Sequence, residues 1–136
     1  VYQNDNQTFR KYDIWFEDIV DLGGGNYEFT ISSGDDDRYQ AGRFIRIAQG
    51  FQVQPGQSIC DTYPASAQTE CQDAKDNPFA GTESLSGLTA GDVILFVKND
   101  SDCALIWVQE IGPDRSGGNS LLKVCIEICY PLFTLP

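Results

Sequence analysis

Short stretches in which apolar and polar residues alternate fill most of the chain. Turn residues break them about every 8–12 positions, a spacing that predicts strands rather than helices. Residues 27–32, YEFTIS, put Tyr27, Phe29 and Ile31 on one face. Residues 42–47 put Ile45 and Ile47 on one face and Phe44 and Arg46 on the other. Residues 93–98, VILFVK, are apolar on both faces, as befits a central strand. Residues 9–22 carry a helix-like spacing at Ile14, Phe16, Ile19 and Val20. Their aromatic and β-branched content, with no N-cap, favours one or two strands. Residues 104–111 and 121–130 read as a hairpin, and residues 58–60 as a short strand. Residues 61–84 hold few large apolar groups and show no periodicity, so they read as a long loop. The ends, residues 1–9 and 131–136, read as extended segments with apolar side chains. Together these elements predict one all-β domain over residues 1–136, a disulfide-bonded sandwich of about 7–9 short strands. A short β-solenoid is the alternative.

Charge changes the picture next. Nine basic residues face 20 acidic ones, a net charge of -11 among 136 residues. Such a surface repels phosphate backbones and anionic lipid headgroups, which argues against nucleic acid and membrane surfaces as partners. No run of 18 apolar residues is present, so no membrane insertion by a helix is expected. The chain has no histidine, which excludes Ser-His-Asp and Cys-His catalysis and imidazole metal sites. It has no methionine, even at position 1, and so reads as a processed product whose signal peptide is already gone.

Five cysteines lie at Cys60, Cys71, Cys103, Cys125 and Cys129, with no CxxC pair for zinc. With the acidic, Gly-rich composition and the sequons at Asn6 and Asn99, they point to secretion, glycosylation and two disulfides. Cys60 and Cys71 bracket a polar stretch and are expected to pair. The 104–111/121–130 hairpin brings Cys103 toward Cys129, the second expected pair. Cys125 is then left as a free thiol, buried or bonded to another chain.

Residues 40–59 read QAGRFIRIAQGFQVQPGQSI. Ala41-Gly42, Ile45, Ile47, Gly50-Phe51, Val53 and Gly56 fit a motif AG-x-x-I-x-[LI]-x-x-GF-x-[VA]-x-xG-x-x-[FI]. The segment resembles secreted Bacteroidetes-type surface modules, in which short strands stack like coat-hangers near the ends of adhesins and hydrolases. The resemblance covers these 20 residues, and it implies a β-stack at a cell surface. Physically, Gly50 lets the strand bend, Phe51 covers a core edge and Pro55-Gly56 suits a type II turn.

Candidate chemistry is sparse. Asp35, Asp36 and Asp37 are candidate calcium ligands in a turn. The spacing D-x-D-x-D-G is missing, and a solvated acidic turn is the simpler account. Glu17, Asp18, Glu110 and Glu127 are the acids from which a glycosidase pair would be drawn, but any chain with 20 acids offers such pairs. Tyr12, Trp15 and Trp107 are candidate stacking platforms for sugar rings, against burial in a core. The expected function is therefore non-catalytic, without cofactor: an extracellular structural or adhesive module. It would self-associate into a filament or sheath through exchange of terminal strands, or bind another cell-surface partner. The alternative is a carbohydrate-binding domain, with glycans as partner and calcium at Asp35–Asp37.

Overall fold

A computed structural model of the chain describes residues 14–33, 42–77, 79–98, 102–113 and 122–129. Seven strands and one helix follow in the order β1 (Ile14–Gly23), β2 (Asn26–Ser33), β3 (Gly42–Ala48), α1 (Ala67–Asp76), β4 (Ser84–Leu88), β5 (Val93–Lys98), β6 (Asp102–Pro113) and β7 (Leu122–Cys129). They form two antiparallel sheets, β1-β2-β4 and β3-β5-β6-β7. The all-β, disulfide-bonded sandwich expected from the alternation is the architecture found.

Alternation decides which side chains meet. Phe29 and Ile31 of β2 and Leu88 of β4 pack against Phe44, Ile94, Phe96, Ile106 and Val108 of the opposite sheet. Phe44 stacks on Phe96 with ring centroids 4.9 Å apart, and Phe16 meets Phe29 edge-on at 5.2 Å. The apolar outer face of the four-stranded sheet needs cover of its own. Val93, Leu95, Val97 and Leu105 pack there under Ile59 and α1, which buries Ala67, Cys71 and Ala74. Both faces of β5 are thus buried, as its unbroken apolar run predicts.

The third layer is where the sequence expectation fails. The proposed loop over 61–84 contains α1 and the start of β4, and residues 58–60 form a turn instead of a strand. The helix buries small residues at spacings of four and three, which a search for large apolar groups passes over. Small side chains let its axis lie close to the sheet. Arg43 of β3 fixes its C-terminal end: Nη1 donates to the carbonyls of Asn77 (2.7 Å) and Ala80 (2.8 Å), and Nη2 to that of Ala74 (3.2 Å). A guanidinium satisfies carbonyls that the helix end leaves without partners, and its charge suits the negative end of the helix dipole.

The disulfides join Cys60 to Cys129 and Cys71 to Cys103. The expected pairing, Cys60 with Cys71 and Cys103 with Cys129, is corrected. Cys129 lies opposite Leu105, so Cys103 is its diagonal neighbour. Diagonal Cα atoms across an antiparallel pair are about 7–8 Å apart, past the reach of a disulfide. Cys129 and Cys103 instead take partners from the covering layer, at Cα separations of 5.2 and 6.1 Å. Cys125 is half-buried and unbonded within the chain. Among the described residues no helix is long and apolar enough to cross a membrane. That and the two disulfides are compatible with secretion.

Candidate functional site

The turn between β4 and β5 builds one wall of the site. Asp92, 1% exposed at its side chain, accepts the Thr89 N–H at Oδ2 (3.0 Å) and faces Arg46 Nε across 3.3 Å. Arg46 Nη2 also donates to the Gly87 carbonyl at 2.8 Å, so one guanidinium ties β3 to the β4–β5 turn. The turn is thereby held against the strand end that follows β3. There Phe51 N–H donates to Gly91 O (2.8 Å), and Gly91 N–H to Val108 O (2.8 Å). Gly91 has φ +93°, and a Cβ on it would stand 2.9 Å from Gly50 Cα. Two backbones touch here, which only glycine permits.

The opposite wall is Trp107 of β6. It is half-buried, and its Nε1 donates to the Phe51 carbonyl at 3.1 Å, which fixes the ring. Between the walls lies an open cleft of about 350 Å³, lined by Phe51, Val53, Ala90, Gly91, Trp107 and the amides of Gln52 and Gln109, with Gly50. None of these residues is charged, on a chain whose net charge is -11. An aromatic wall with amides at its margin can stack on a planar or ring-shaped ligand and donate hydrogen bonds to it.

The other predicted residues fare differently. Tyr12, Asn6, Asn99 and Asp35, Asp36 and Asp37 lie outside the described residues. Trp15 lies on β1, and its side chain lies outside the described residues. Among the described residues, no three Asp, Glu, Cys or His side chains group as a metal site. The four acids split between the sheets: Glu17 and Asp18 on β1, Glu110 on β6 and Glu127 on β7. Glu127, opposite Trp107 in register, accepts the Ile59 backbone N–H and so supports the covering layer. Glu17 accepts the Ser32 hydroxyl, which also meets Ser84 Oγ at 3.0 Å.

Trp107 was legible as a candidate; the cleft around it was not. Gly50, Phe51, Ala90 and Gly91 come from two turns about 40 residues apart. The visible signals were the Gly-Phe step and the Thr-Ala-Gly-Asp turn, each reading as ordinary punctuation. Type II geometry at Pro55-Gly56 is present, with Gly56 at φ +85° and Gln57 N–H donating to Gln54 O at 3.0 Å. No family model, curated protein or solved structure matches the chain.

Proposed function

We propose that the chain is a secreted, non-catalytic structural and adhesive module that assembles with copies of itself by exchange of terminal strands. One observation carries the proposal: among the described residues the first and last strands, β1 and β7, are both edge strands, one in each sheet. An edge strand presents unpaired N–H and C=O groups to any extended segment that approaches it. Residues 1–9 and 131–136, which lie outside the described residues, read in the sequence as extended segments of this kind. Addition of one copy's end to the next copy's edge is head-to-tail, and it gives an open filament when the rotation does not close. The two disulfides and the 40–59 resemblance support a place at a cell surface, and an acidic, glycosylated exterior would keep the assembled chain dispersed.

Sedimentation velocity and negative-stain microscopy of the full chain test this. Concentration-dependent assembly is expected, and an excess of synthetic peptide spanning residues 1–9 or 131–136 should suppress it. A strict monomer at the highest attainable concentration refutes the proposal.

The Trp107 cleft favours a second reading, a carbohydrate-binding module. Removing one stacked ring costs about 0.5–1.5 kcal/mol beyond the lost area, so Trp107→Ala should weaken glycan binding severalfold or more. A glycan array on which the parent chain binds nothing removes that reading.

A further inference from the structure

Among the described residues β1, β3, β4 and β7 are sheet edges, and they are not equally open. β3 is bridged: Phe44 N–H donates to Thr82 O (2.7 Å) and Thr82 N–H to Phe44 O (3.1 Å). β4 is five residues long, and its register on β2 shifts between Phe29 and Ile31. β1 shifts register after Glu17, where Asp18 has φ +55°, and it carries the acids Glu17, Asp18 and Asp21. Cover, shortness, bulges and like charges are the means by which edge strands avoid pairing with other chains. β7 runs as eight residues, Leu122–Cys129, and the extra residue in its pairing with β6 falls on β6, at Gln109. Leu122, Val124, Ile126 and Ile128 make it apolar along one face. An edge of that length and character is a template for another strand.

The order of residues on β7 complements itself. Reading outward from Cys125 in both directions, Val124 is matched by Ile126, Lys123 by Glu127 and Leu122 by Ile128. A second β7 laid antiparallel beside the first brings these matches face to face. Opposed residues of antiparallel strands point to the same face, so a two-fold axis normal to the sheet passes through a residue. With the axis at Cys125, Lys123 lies opposite the partner's Glu127, and Glu127 opposite the partner's Lys123. An axis at Val124 sets Lys123 against the partner's Cys125, and an axis at Ile126 sets Cys125 against the partner's Glu127. Both lose the two charge pairs. The faces agree with this register. Val124, Ile126 and Ile128 pack in the inter-sheet core and Cys129 under the covering layer, so alternation puts Lys123, Cys125 and Glu127 on the covered side. Glu127 Oε1 accepts the Ile59 N–H, and a carboxylate has further lone pairs for an ammonium.

We infer that β7 is the interface of a two-fold dimer, in which two copies join their four-stranded sheets edge to edge and bond Cys125 to the partner's Cys125. Charge order selects a second copy as the occupant: each β7 offers both signs in the sequence that the other β7 requires. The thiol at the axis agrees. The other four cysteines are bonded within the chain, and Cys125 is half-buried and unbonded within it. Opposed Cα atoms of an antiparallel pair stand about 4.5–5.5 Å apart, inside the span of about 4.4–6.8 Å that a disulfide bridges. The oxidant is a small-molecule disulfide. One Cys125 thiolate attacks it, forming a mixed disulfide and releasing one small thiol. The partner's Cys125 thiolate then attacks the Cys125 sulfur, closing the bond and releasing the second. The two protein thiols give up two electrons and two protons, which leave with the small thiols. Two copies at net -11 repel at long range, and the bond at the axis makes a weak pairing persist. This dimer needs neither terminal segment and leaves β1 as the edge for terminal exchange.

The test equilibrates the full chain in a buffer of oxidised and reduced glutathione and reads dimer by non-reducing electrophoresis and peptide mapping. A covalent dimer linked through Cys125 of both copies is expected. Lys123→Glu sets like charges opposite each other at two places and should lower the dimerisation constant at least about fivefold. Glu127→Lys should do the same. An equimolar mixture of the two variants should recover the parent's value as a heterodimer, because each supplies the charge that the other lacks. Thermal melts check the fold. If Glu127→Lys melts early through loss of the Ile59 contact, Lys123→Ala replaces it and should fall between the parent and Lys123→Glu. Equal dimer yield from every charge variant would mean capture of an accessible thiol without register, and it overturns the inference. So does a monomer that carries glutathione on Cys125. Polymers in which Cys125 stays reduced overturn the β7 pairing and leave terminal exchange standing. A dimer that grows no further overturns terminal exchange and leaves the pairing.

Discussion

At the scale of single residues, glycine does the work that side chains cannot. Gly91→Ala should destabilise the fold by about 1–3 kcal/mol, since it forces a side chain into the left-handed region and against Gly50. Urea denaturation checks the loss. The same variant should also weaken whatever the cleft binds, because the turn that carries Ala90 must move. The residue alternation behind the core was legible. Phe44 and Ile45 face opposite sides of β3 as their positions require, and Phe29 and Ile31 share the inter-sheet core. The approach of Gly91 to Gly50 was not legible, because it depends on two turns meeting after the sheets have packed. The exposure of Phe79 was hidden for a related reason. A phenylalanine in sequence reads as core, yet Phe79 is 92% exposed in the folded chain.

Elements show the same division between local and long-range information. Strands β2, β3 and β5 were readable because a half-buried or fully buried ribbon stamps a period of two, or an unbroken apolar run, on its own sequence. Helix α1 left a fainter mark. Its buried stripe is Ala67, Cys71 and Ala74, which carry little hydrophobic weight, so its position depends on outside anchors. The Cys71–Cys103 bridge is one and Arg43 is another. Cysteine pairing was the least readable feature, since loop length ranks the near partner first and only sheet register moves Cys103 away from Cys129. Non-reducing peptide mapping should recover Cys60–Cys129 and Cys71–Cys103. In the chain-entropy account, bridges spanning 32 and 69 residues stabilise by about 3.7 and about 4.4 kcal/mol. The double variant Cys71→Ala/Cys103→Ala should lower stability by a comparable amount in denaturant titration. It should also expose the outer face of β5 and β6 to a hydrophobic dye.

For the whole molecule, the arrangement is a sandwich with a third layer pinned onto one sheet. The layer covers apolar positions that would otherwise make β3, β5 and β6 a sticky surface. Among the described residues, the sheet edges, the Trp107 cleft and Phe79 are features able to meet another molecule. Fold class followed from sequence because packing two amphipathic sheets is a local rule repeated many times. The cleft did not, because it is assembled from turns whose meeting is a property of the finished fold.

The Cys60–Cys129 bond has a mechanical consequence. A pull on the two ends of the chain enters through β1 and leaves past β7, and the covalent link short-circuits the sequence separation of 69 between Cys60 and Cys129. Helix α1 and strands β4, β5, β6 and β7 lie inside that short circuit and bear no tension. Only β1, β2, β3 and the approach to Cys60 can pay out slack, so a strained copy would lengthen by a limited, preset amount and then hold.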